Sequence, residues 1–262
     1  MSYTKQDLKA QLAQMGITPT DRVLIHTSYK SVGEIEGGPD AFLDAFCEYL
    51  SEGLLIVPTH TWANVNRQNP VYRVHETVPC IGLIPRLAAV RRDGIRSLHP
   101  THSVWAHGVG AEELVRGEEL ARTPAPVGGT WWRFGELGVK ILLIGVGLER
   151  NTYIHAVDEI AALGRLSDKG EWEVTVVDAA GQEYVHPFRG HANTGSDNFG
   201  NFEEAFATLG VMKYARLGDA EVRVVDARAC RDVLLAIYSR TDEHLCLTPA
   251  QIPRALWEDL RI

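Results

Sequence analysis

The apolar and polar positions of the first 165 residues alternate between short buried runs and amphipathic segments. Thr4 is a favourable N-cap for a first helix that ends at Gly16, and Pro39 takes a favoured first position in a second helix. Short apolar runs, typical of buried strands, lie at 22–26, 54–59 and 139–147. The order strand, helix, strand favours parallel pairing, so we expect a parallel sheet in this part of the chain.

The region between and after these strands carries further periodic segments. Helical patterns lie at 82–92, 111–120, 130–138 and 151–164, and an alternating pattern at 103–108 predicts a strand. The segment 62–79 is polar, irregular and long for a loop. We therefore expect it to act as a lid or as a substrate loop.

The last third of the chain changes character. Two antiparallel hairpins are predicted, the first from 171–178 and 183–190 and the second from 212–217 and 221–226. Helical patterns lie at 201–210 and 227–240. Without an internal repeat or a low-complexity linker, the chain is best described as one α/β domain over 1–262 with an antiparallel C-terminal portion.

Composition and charge narrow the functional classes. The 262 residues carry a formal net charge of -8 and no basic cluster, which disfavours a nucleic-acid partner. No apolar run approaches the roughly 20 residues of a membrane helix, and the polar N-terminus does not resemble a signal peptide. The four cysteines form no CxxC pair, which is typical of a reducing cytoplasm.

Three histidines lie close together in the stretch "RSLHPTHSVWAHG" at 96–108. A zinc site would usually add a third or fourth ligand from a helical HExxH motif or from cysteine pairs, and neither is present. Pro100 also opposes a helix that would aim His99 and His102 in one direction. A metal site is thus disfavoured, although a metal hydrolase using these two histidines and a carboxylate stays open as an alternative.

Hydrolase and nucleotide motifs are incomplete. The chain has no GxSxG elbow. The stretch "GVGLER" follows a strand but has Arg150 where the dinucleotide fingerprint has its third glycine.

The helix that follows the most apolar strand carries candidate chemistry. His155, Asp158 and Glu159 share one side of that helix, at the carboxyl end of a strand, where ligand sites of open α/β sheets gather. His155 can act as a general base, or it can form an ordinary surface pair with Asp158. Asp197 precedes a helix, and taken alone it is better explained as an N-cap than as a catalytic residue.

The loop after the first strand offers a cation, hydroxyls and glycines. Lys30 with Thr27, Ser28 and Ser31 could hold a diphosphate, or the loop could be a flexible surface turn.

Four segments, in order over roughly residues 5 to 165, resemble the aminoglycoside 3-N-acetyltransferase (antibiotic N-acetyltransferase) family. They are "VLIHTSYKSVGEIEGGPDAFLDAF", "LLIVPTHTW", "GLIPRLAAVRRDGIRSLHPTHSVWAHG" and "KILLIGVGLERNTYIHAVDEIA". The resemblance implies a three-layer α/β domain with a mostly parallel central sheet, not the GNAT fold. It also implies that acetyl-CoA is the co-substrate and that no metal is needed.

The resemblance also implies roles for individual residues. The coenzyme would contact the loop Thr27, Ser28, Lys30, Ser31 and Val32 and the histidine loop Ser97, His99, Thr101, His102 and Ser103. His155 would be the general base and Asp197 would orient it, while Glu34, Asp158 and Glu159 would face a cationic acceptor. The donor part would be about 20–165, and about 62–79 and 166–262 would shape the acceptor site.

The expected reaction is direct acetyl transfer to the 3-amino group of an aminoglycoside, which would confer antibiotic resistance. The segment 120–138 departs from the family pattern, and the loop 62–79 and the C-terminal third resemble it least, so a different amine or a biosynthetic intermediate is the alternative acceptor. The expected partners are the two small substrates, with no nucleic acid or membrane, and with a homodimer as one candidate assembly. The expected location is the cytoplasm.

Overall fold

The computed structural model describes residues 2–161, 163, 166–192, 196–243 and 245–261. The predicted end of the helix at 164 and the first residues of "NTGSDNFG" lie outside the described residues. Within the described part, no helix combines the length and the apolar character needed to cross a bilayer.

The strands, labelled in chain order, are β1 Arg22–Thr27, β2 Leu54–Pro58, β3 Val71–Arg73, β4 Ile95–Arg96, β5 Val104–Gly108, β6 Lys140–Ile144, β7 Trp172–Val177, β8 Glu183–Phe188, β9 Met212–Leu217 and β10 Ala220–Asp226. The helices are α1 Lys5–Gln14, α2 Gly38–Tyr49, α3 Leu83–Val90, α4 Ala111–Val115, α5 Thr130–Leu137, α6 Thr152–Ile160, α7 Glu203–Thr208 and α8 Ala227–Tyr238.

The large sheet has seven described strands in the order β4-β5-β2-β1-β6-β10-β9. Its centre is parallel, because β1 pairs in parallel with both β2 and β6, as the strand, helix, strand order predicts. The predicted hairpin of β9 and β10 is confirmed, and it continues this sheet through antiparallel pairing of β10 with β6. Antiparallel pairing also occurs on the other side, where β5 joins β2 and β4.

Alternating side chains of the central strands enter two separate cores, one on each face of the sheet. Leu24, Ile56 and Leu143 belong to the core formed with α5, α6 and α8. Val23 and Leu142 belong to the core formed with α1, α2 and α3. Burial on both faces explains why β2 and β6 are almost continuously apolar in sequence. The result is the three-layer α/β arrangement that was expected.

A second sheet has the strand order β3-β7-β8, and its first strand, β3, lies in the segment 62–79 that was expected to be irregular. β3 is three residues long, too short for a periodic signal, and pairs in parallel with β7. β7 and β8 form the predicted antiparallel hairpin. The small sheet has its own core, built on Tyr72 and Phe188, which contacts Leu98 at the start of the histidine loop.

Candidate active site

A cleft of about 1670 Å³ lies at the carboxyl ends of the parallel strands β1, β2 and β6. His26 and Thr27 end β1, His60 follows β2, and the segment after β6 contributes Arg150 and then His155 on α6. Because parallel strands present their carboxyl ends at one edge of a sheet, residues far apart in sequence meet here. The architecture therefore places the candidate chemistry where ligands of open α/β sheets bind.

The opposite wall of the cleft comes from the neighbourhood of the small sheet. Trp62 and Trp172 line this wall, together with the segment 166–170. The Arg67 guanidinium donates to the carbonyl oxygens of Lys169 at 2.7 Å and Glu171 at 3.2 Å. Since these bonds join the segment around Arg67 to the segment before β7, the two predicted acceptor-shaping regions form one continuous wall.

The histidine loop, residues 97–103, is held mainly by its own hydrogen bonds. His99 Nδ1 accepts the backbone N–H groups of Thr101 at 3.2 Å and His102 at 2.9 Å, and its Nε2 donates to the Thr123 carbonyl at 3.0 Å. Burial lowers the pKa of His99 to about 4, so the ring is neutral at physiological pH. His99 uses both ring nitrogens on the backbone, which leaves neither for a metal ion.

Only part of this loop reaches the cleft. Thr101 and His102 line the cleft, as expected for donor-contacting residues. Ser97 and Ser103 are buried beneath the loop: Ser97 Oγ accepts the Val104 N–H, and Ser103 Oγ donates to the Thr59 carbonyl. Ser97, His99 and Ser103 therefore position the loop and do not line the cleft, because their polar atoms are occupied within the protein.

The floor of the cleft differs from the loop in how its buried polar atoms are hydrogen-bonded. Three polar atoms there, His26 Nε2, Thr27 Oγ1 and His60 Nδ1, are buried without a hydrogen-bond partner among the described residues. Burial lowers the pKa of His26 to about 3, to which the nearby Arg150 charge adds, and burial holds the pKa of His60 well below its usual value. These atoms are buried in residues that line the cleft, and a buried polar atom without a protein partner calls for a bond to water or to a ligand.

His60 is also firmly placed. Its ring stacks on Trp131 with centroids 5.4 Å apart and meets His102 edge-on at 4.7 Å. Its Nε2 lies 3.4 Å from the hydroxyl of Thr152, in the first turn of the helix that carries His155. The His60 ring is thus held by Trp131, His102 and Thr152.

His155 and Asp197 both line the cleft, as expected of a base and its orienting acid. The His155 ring packs against Phe199 with centroids 4.8 Å apart and against His191 at 5.1 Å. These contacts place the ring beside the cleft, while the orienting role of Asp197 stays a prediction.

The three acids expected to face a cationic acceptor are placed elsewhere. Asp158 is fully buried, and its Oδ1 accepts the Tyr238 hydroxyl at 2.7 Å. Helix α6 turns this side toward α8, because the apolar stripe around it is part of the core. Asp158 therefore does not face the cleft. Glu159 does not line it either, and Glu34 lies on the exposed loop whose carbonyl accepts the Tyr3 N–H.

Of the residues in the proposed diphosphate loop, likewise, only some line the cleft. Thr27 and Ser28 line the cleft, whereas Val32 is a core residue. Ser31 Oγ donates to Ser28 Oγ at 2.8 Å, which tightens the 3-10 turn at 29–32. Lys30 belongs to this turn, but its side chain is exposed and lies outside the cleft lining.

Sequence reasoning missed several residues of the cleft. His26 and His60 lie inside quoted segments but were not singled out, and Arg150 was noted only as an interruption of a glycine motif. His191 was not considered at all. The available signal was a polar residue at the carboxyl end of each central strand, which becomes informative once the strand order is known.

One group of potential metal ligands exists among the described residues, and it lies outside the cleft. It consists of Cys47, Asp93 and His107. The Arg91 guanidinium already pairs with Asp93 at 2.5 Å, so a cation there would have to displace an existing positive charge.

Comparison with known proteins decides the family. The family model described as Aminoglycoside 3-N-acetyltransferase matches residues 24–239. The chain belongs to this family. A curated relative, aminoglycoside N(3)-acetyltransferase IV from Salmonella sp, is 29% identical over 164 residues, covering 61% of this chain and 60% of the relative. The match thus spans about three-fifths of that relative's length.

Solved structures of the aminoglycoside acetyltransferases share the fold. The AAC(3)-IVa apoenzyme matches with a TM-score of 0.78 and 23% identity, covering 97% of this chain and 94% of that chain. AAC-IIIb with CoASH matches with a TM-score of 0.77 and 20% identity, covering 88% and 94%. A histidine-to-alanine mutant of AAC(3)-IVa in complex with a gentamicin matches at 0.75 and 22% identity, covering 92% and 90%.

Proposed function

We propose that this chain is an acetyl-CoA-dependent N-acetyltransferase that modifies the 3-amino group of an aminoglycoside. The observation that carries the proposal is the cleft itself, at the carboxyl ends of β1, β2 and β6, with His155 in its wall and unpaired polar atoms on its floor. Family membership supplies the reaction class, and the relatives solved with CoASH and with a gentamicin support the two substrates.

Acetyl-CoA fits the donor side of the cleft. The diphosphate would lie near the turn after β1, where the cleft lining supplies the Arg150 charge and the Ser28 hydroxyl, and the Lys30 side chain would have to reach in from outside that lining. The acetyl end would reach the floor, where Thr27 and His60 offer polar atoms that have no described partner. The thioester carbonyl would then lie beside His155.

The chemistry requires removal of protons from the acceptor. An ammonium group cannot attack until it loses a proton, and His155 would accept it directly or through water. The amine nitrogen then attacks the thioester carbonyl, the C–S bond breaks, and coenzyme A leaves as the thiol. A neutral His60 with its Nδ1 protonated would donate a hydrogen bond to the oxyanion, and donors of this kind contribute about 3–4 kcal/mol elsewhere.

The test is release of free coenzyme A thiol when the protein, acetyl-CoA and gentamicin or apramycin are mixed. The proposal expects thiol release that depends on the drug, and a drug product heavier by one acetyl group. Nuclear magnetic resonance of the product then locates the acetyl group, and a product substituted elsewhere than the 3-amino group would overturn that part.

A second acceptor class is favoured by the charges of the cleft. Among its described lining residues, three acids (Glu149, Asp168 and Asp197) are balanced by three bases (Arg67, Arg150 and Lys169). A polycationic drug would gain little from such a lining, since long-range attraction requires a net negative potential. A panel of mono-amines in the same assay distinguishes the two candidates: preference for a mono-amine supports this second class.

The proposal includes a cytoplasmic location and leaves the homodimer as a prediction. All four cysteines are described and none forms a disulfide, as in a reducing compartment, where acetyl-CoA is also found. Light scattering of the purified protein would report the assembly.

A further inference from the structure

A second imidazole of the cleft is bonded to a buried carboxylate. His191 lines the cleft, and its Nε2 lies 2.5 Å from Oε1 of Glu159. An ionised carboxylate only accepts, so Nε2 is the donor and Nδ1 is left as the proton-accepting atom. This is the arrangement by which a carboxylate fixes the tautomer of a general base.

The carboxylate is itself held in place. The Glu159 side chain is 7% exposed, and Oε1 also accepts the backbone N–H of Ala125 at 2.8 Å. Glu159 was expected to contact the acceptor, but it lies behind His191 and does not line the cleft. A buried charge needs partners, and here they are a backbone N–H and the imidazole.

The pair lies beside the base already proposed. The His191 ring is 5.1 Å from the His155 ring and 5.5 Å from the His102 ring, measured between centroids. The other described titratable groups that interact with it are His60 and His99, and burial keeps both neutral at physiological pH. Among the described residues, Glu159 therefore supplies the negative charge that contacts the His191 ring.

We propose that His191 is a second catalytic residue, which accepts a proton from the acceptor amine, and that Glu159 is its positioning residue. This inference rests on the proposed N-acetyl transfer. It adds a second residue to the proposed mechanism. Two imidazoles, one of them hydrogen-bonded to a carboxylate, accept the two protons that the acceptor loses.

The proton balance of the reaction calls for two acceptors. An ammonium group loses two protons on its way to an amide, while the thiolate of coenzyme A gains one and one is released to water. His155 takes the proton that frees the nitrogen lone pair, as proposed above, and releases it to water. His191 takes the second proton from the tetrahedral adduct, because Glu159 stabilises the imidazolium that results, and returns it to the departing sulfur as the C–S bond breaks.

The test compares His191→Gln and Glu159→Gln with the parent protein and with His75→Gln, in the assay of thiol release. His75 is an exposed histidine outside the cleft, so it serves as the matched control. The expected result is a turnover about 10²–10⁴-fold lower for His191→Gln, with unchanged coenzyme A affinity. Affinity, measured by calorimetry, also shows that each variant is folded.

Two further readouts separate catalysis from a structural role. Added imidazole should partly restore the turnover of His191→Ala, which a structural lesion would not allow. In Glu159→Gln the acid limb of the kcat/KM profile should move to lower pH, because the imidazolium loses its counter-charge. A merely structural change would lower the plateau and leave that limb in place.

The outcomes are distinguishable. If the parent transfers acetyl to no amine of the panel, the proposed function fails and this inference fails with it. If the parent is active and His191→Gln keeps its turnover within a few-fold, the inference alone is overturned. Turnover could also be lost without rescue by imidazole and without a shift of the acid limb. That result would show that His191 and Glu159 form a structural ion pair, and it would overturn the inference.

Discussion

The histidine loop at 97–103 and the floor of the cleft formed by His26, Thr27 and His60 both carry buried polar side chains, yet they differ in how those side chains are satisfied. In the loop, the polar side-chain atoms of His99, Ser97 and Ser103 form hydrogen bonds with the protein's own backbone. On the floor, three polar atoms have no described partner. Residue type alone does not separate these two situations, but the hydrogen-bond inventory does.

The difference assigns distinct tasks to the two regions. The loop is a rigid support whose polar groups stabilise the fold, and the floor is a surface that a ligand completes. Changes in the loop should therefore act first on stability, and changes around the floor should act first on binding and turnover.

The largest expected effect is on turnover. His155→Ala should lower kcat by about 10²–10⁴-fold, because the amine then loses the base proposed to accept its proton. Coenzyme A affinity should stay close to that of the parent. Steady-state kinetics and calorimetry check both, and a variant that keeps full turnover would remove His155 from the mechanism.

The next effect is on stability as a function of pH. The folded pKa values of His26 and His99 are lowered, to about 3 and about 4, so the unfolded chain binds more protons than the folded one below pH 6.5. The free energy of unfolding should therefore be greatest above pH 6.5. It should decrease as the pH falls, by roughly 1.4 kcal/mol per pH unit for each histidine. Chemical denaturation at several pH values measures it.

Glu118 opposes this trend. Burial raises its pKa to about 7, so its contribution to stability is greatest at low pH and is lost as the pH rises toward 7. One such group is outweighed by the two histidines. Glu118→Gln should therefore steepen the loss of stability on acidification, and a shallower loss would contradict the assignment.

A substitution in the histidine loop should lower the stability of the protein. His99→Ala should lower the free energy of unfolding by about 2–4 kcal/mol, because two buried N–H groups and a carbonyl lose their partner. Thermal denaturation measures this change. A stable variant with weakened coenzyme A binding would show instead that His99 contacts the ligand.

A slightly smaller effect is expected from the bond between Tyr238 and Asp158. Tyr238→Phe removes a 2.7 Å hydrogen bond to a buried carboxylate and should cost about 1–3 kcal/mol of unfolding free energy. The acceptor KM should not change, because Asp158 does not line the cleft. A raised KM at unchanged stability would restore Asp158 to the acceptor site.

The smallest effect has the opposite sign. His60→Phe keeps the stacking on Trp131 and removes the buried Nδ1, which has no described partner, together with the long 3.4 Å contact between Nε2 and the Thr152 hydroxyl. The free energy of unfolding without ligand should rise by about 1 kcal/mol, while turnover falls. A stability loss without a change in turnover would place His60 with the loop residues.

Much of the fold could be predicted from the sequence. The runs at 22–26 and 54–59 became the parallel strands β1 and β2, and both C-terminal hairpins formed where the turn residues indicated. β3 escaped prediction because three residues carry no period, and its pairing with β7 is set by tertiary contact.

The candidate site was less accessible to prediction. His155 and His102 could be predicted from motifs, but Asp158 could not be placed from helical spacing. Spacing puts residues on one side of a helix, while packing against α8 decides which side is buried. The bond between Glu159 and His191 joins residues 32 apart in sequence, which local patterns cannot predict.

The most direct test of the account is a structure of the protein with coenzyme A bound. The account predicts that the thiol end lies in the cleft, within hydrogen-bonding reach of His26, Thr27 or His60, with His155 facing the same space. Coenzyme A bound elsewhere, or bound while these three side chains keep polar atoms without a partner, would contradict it.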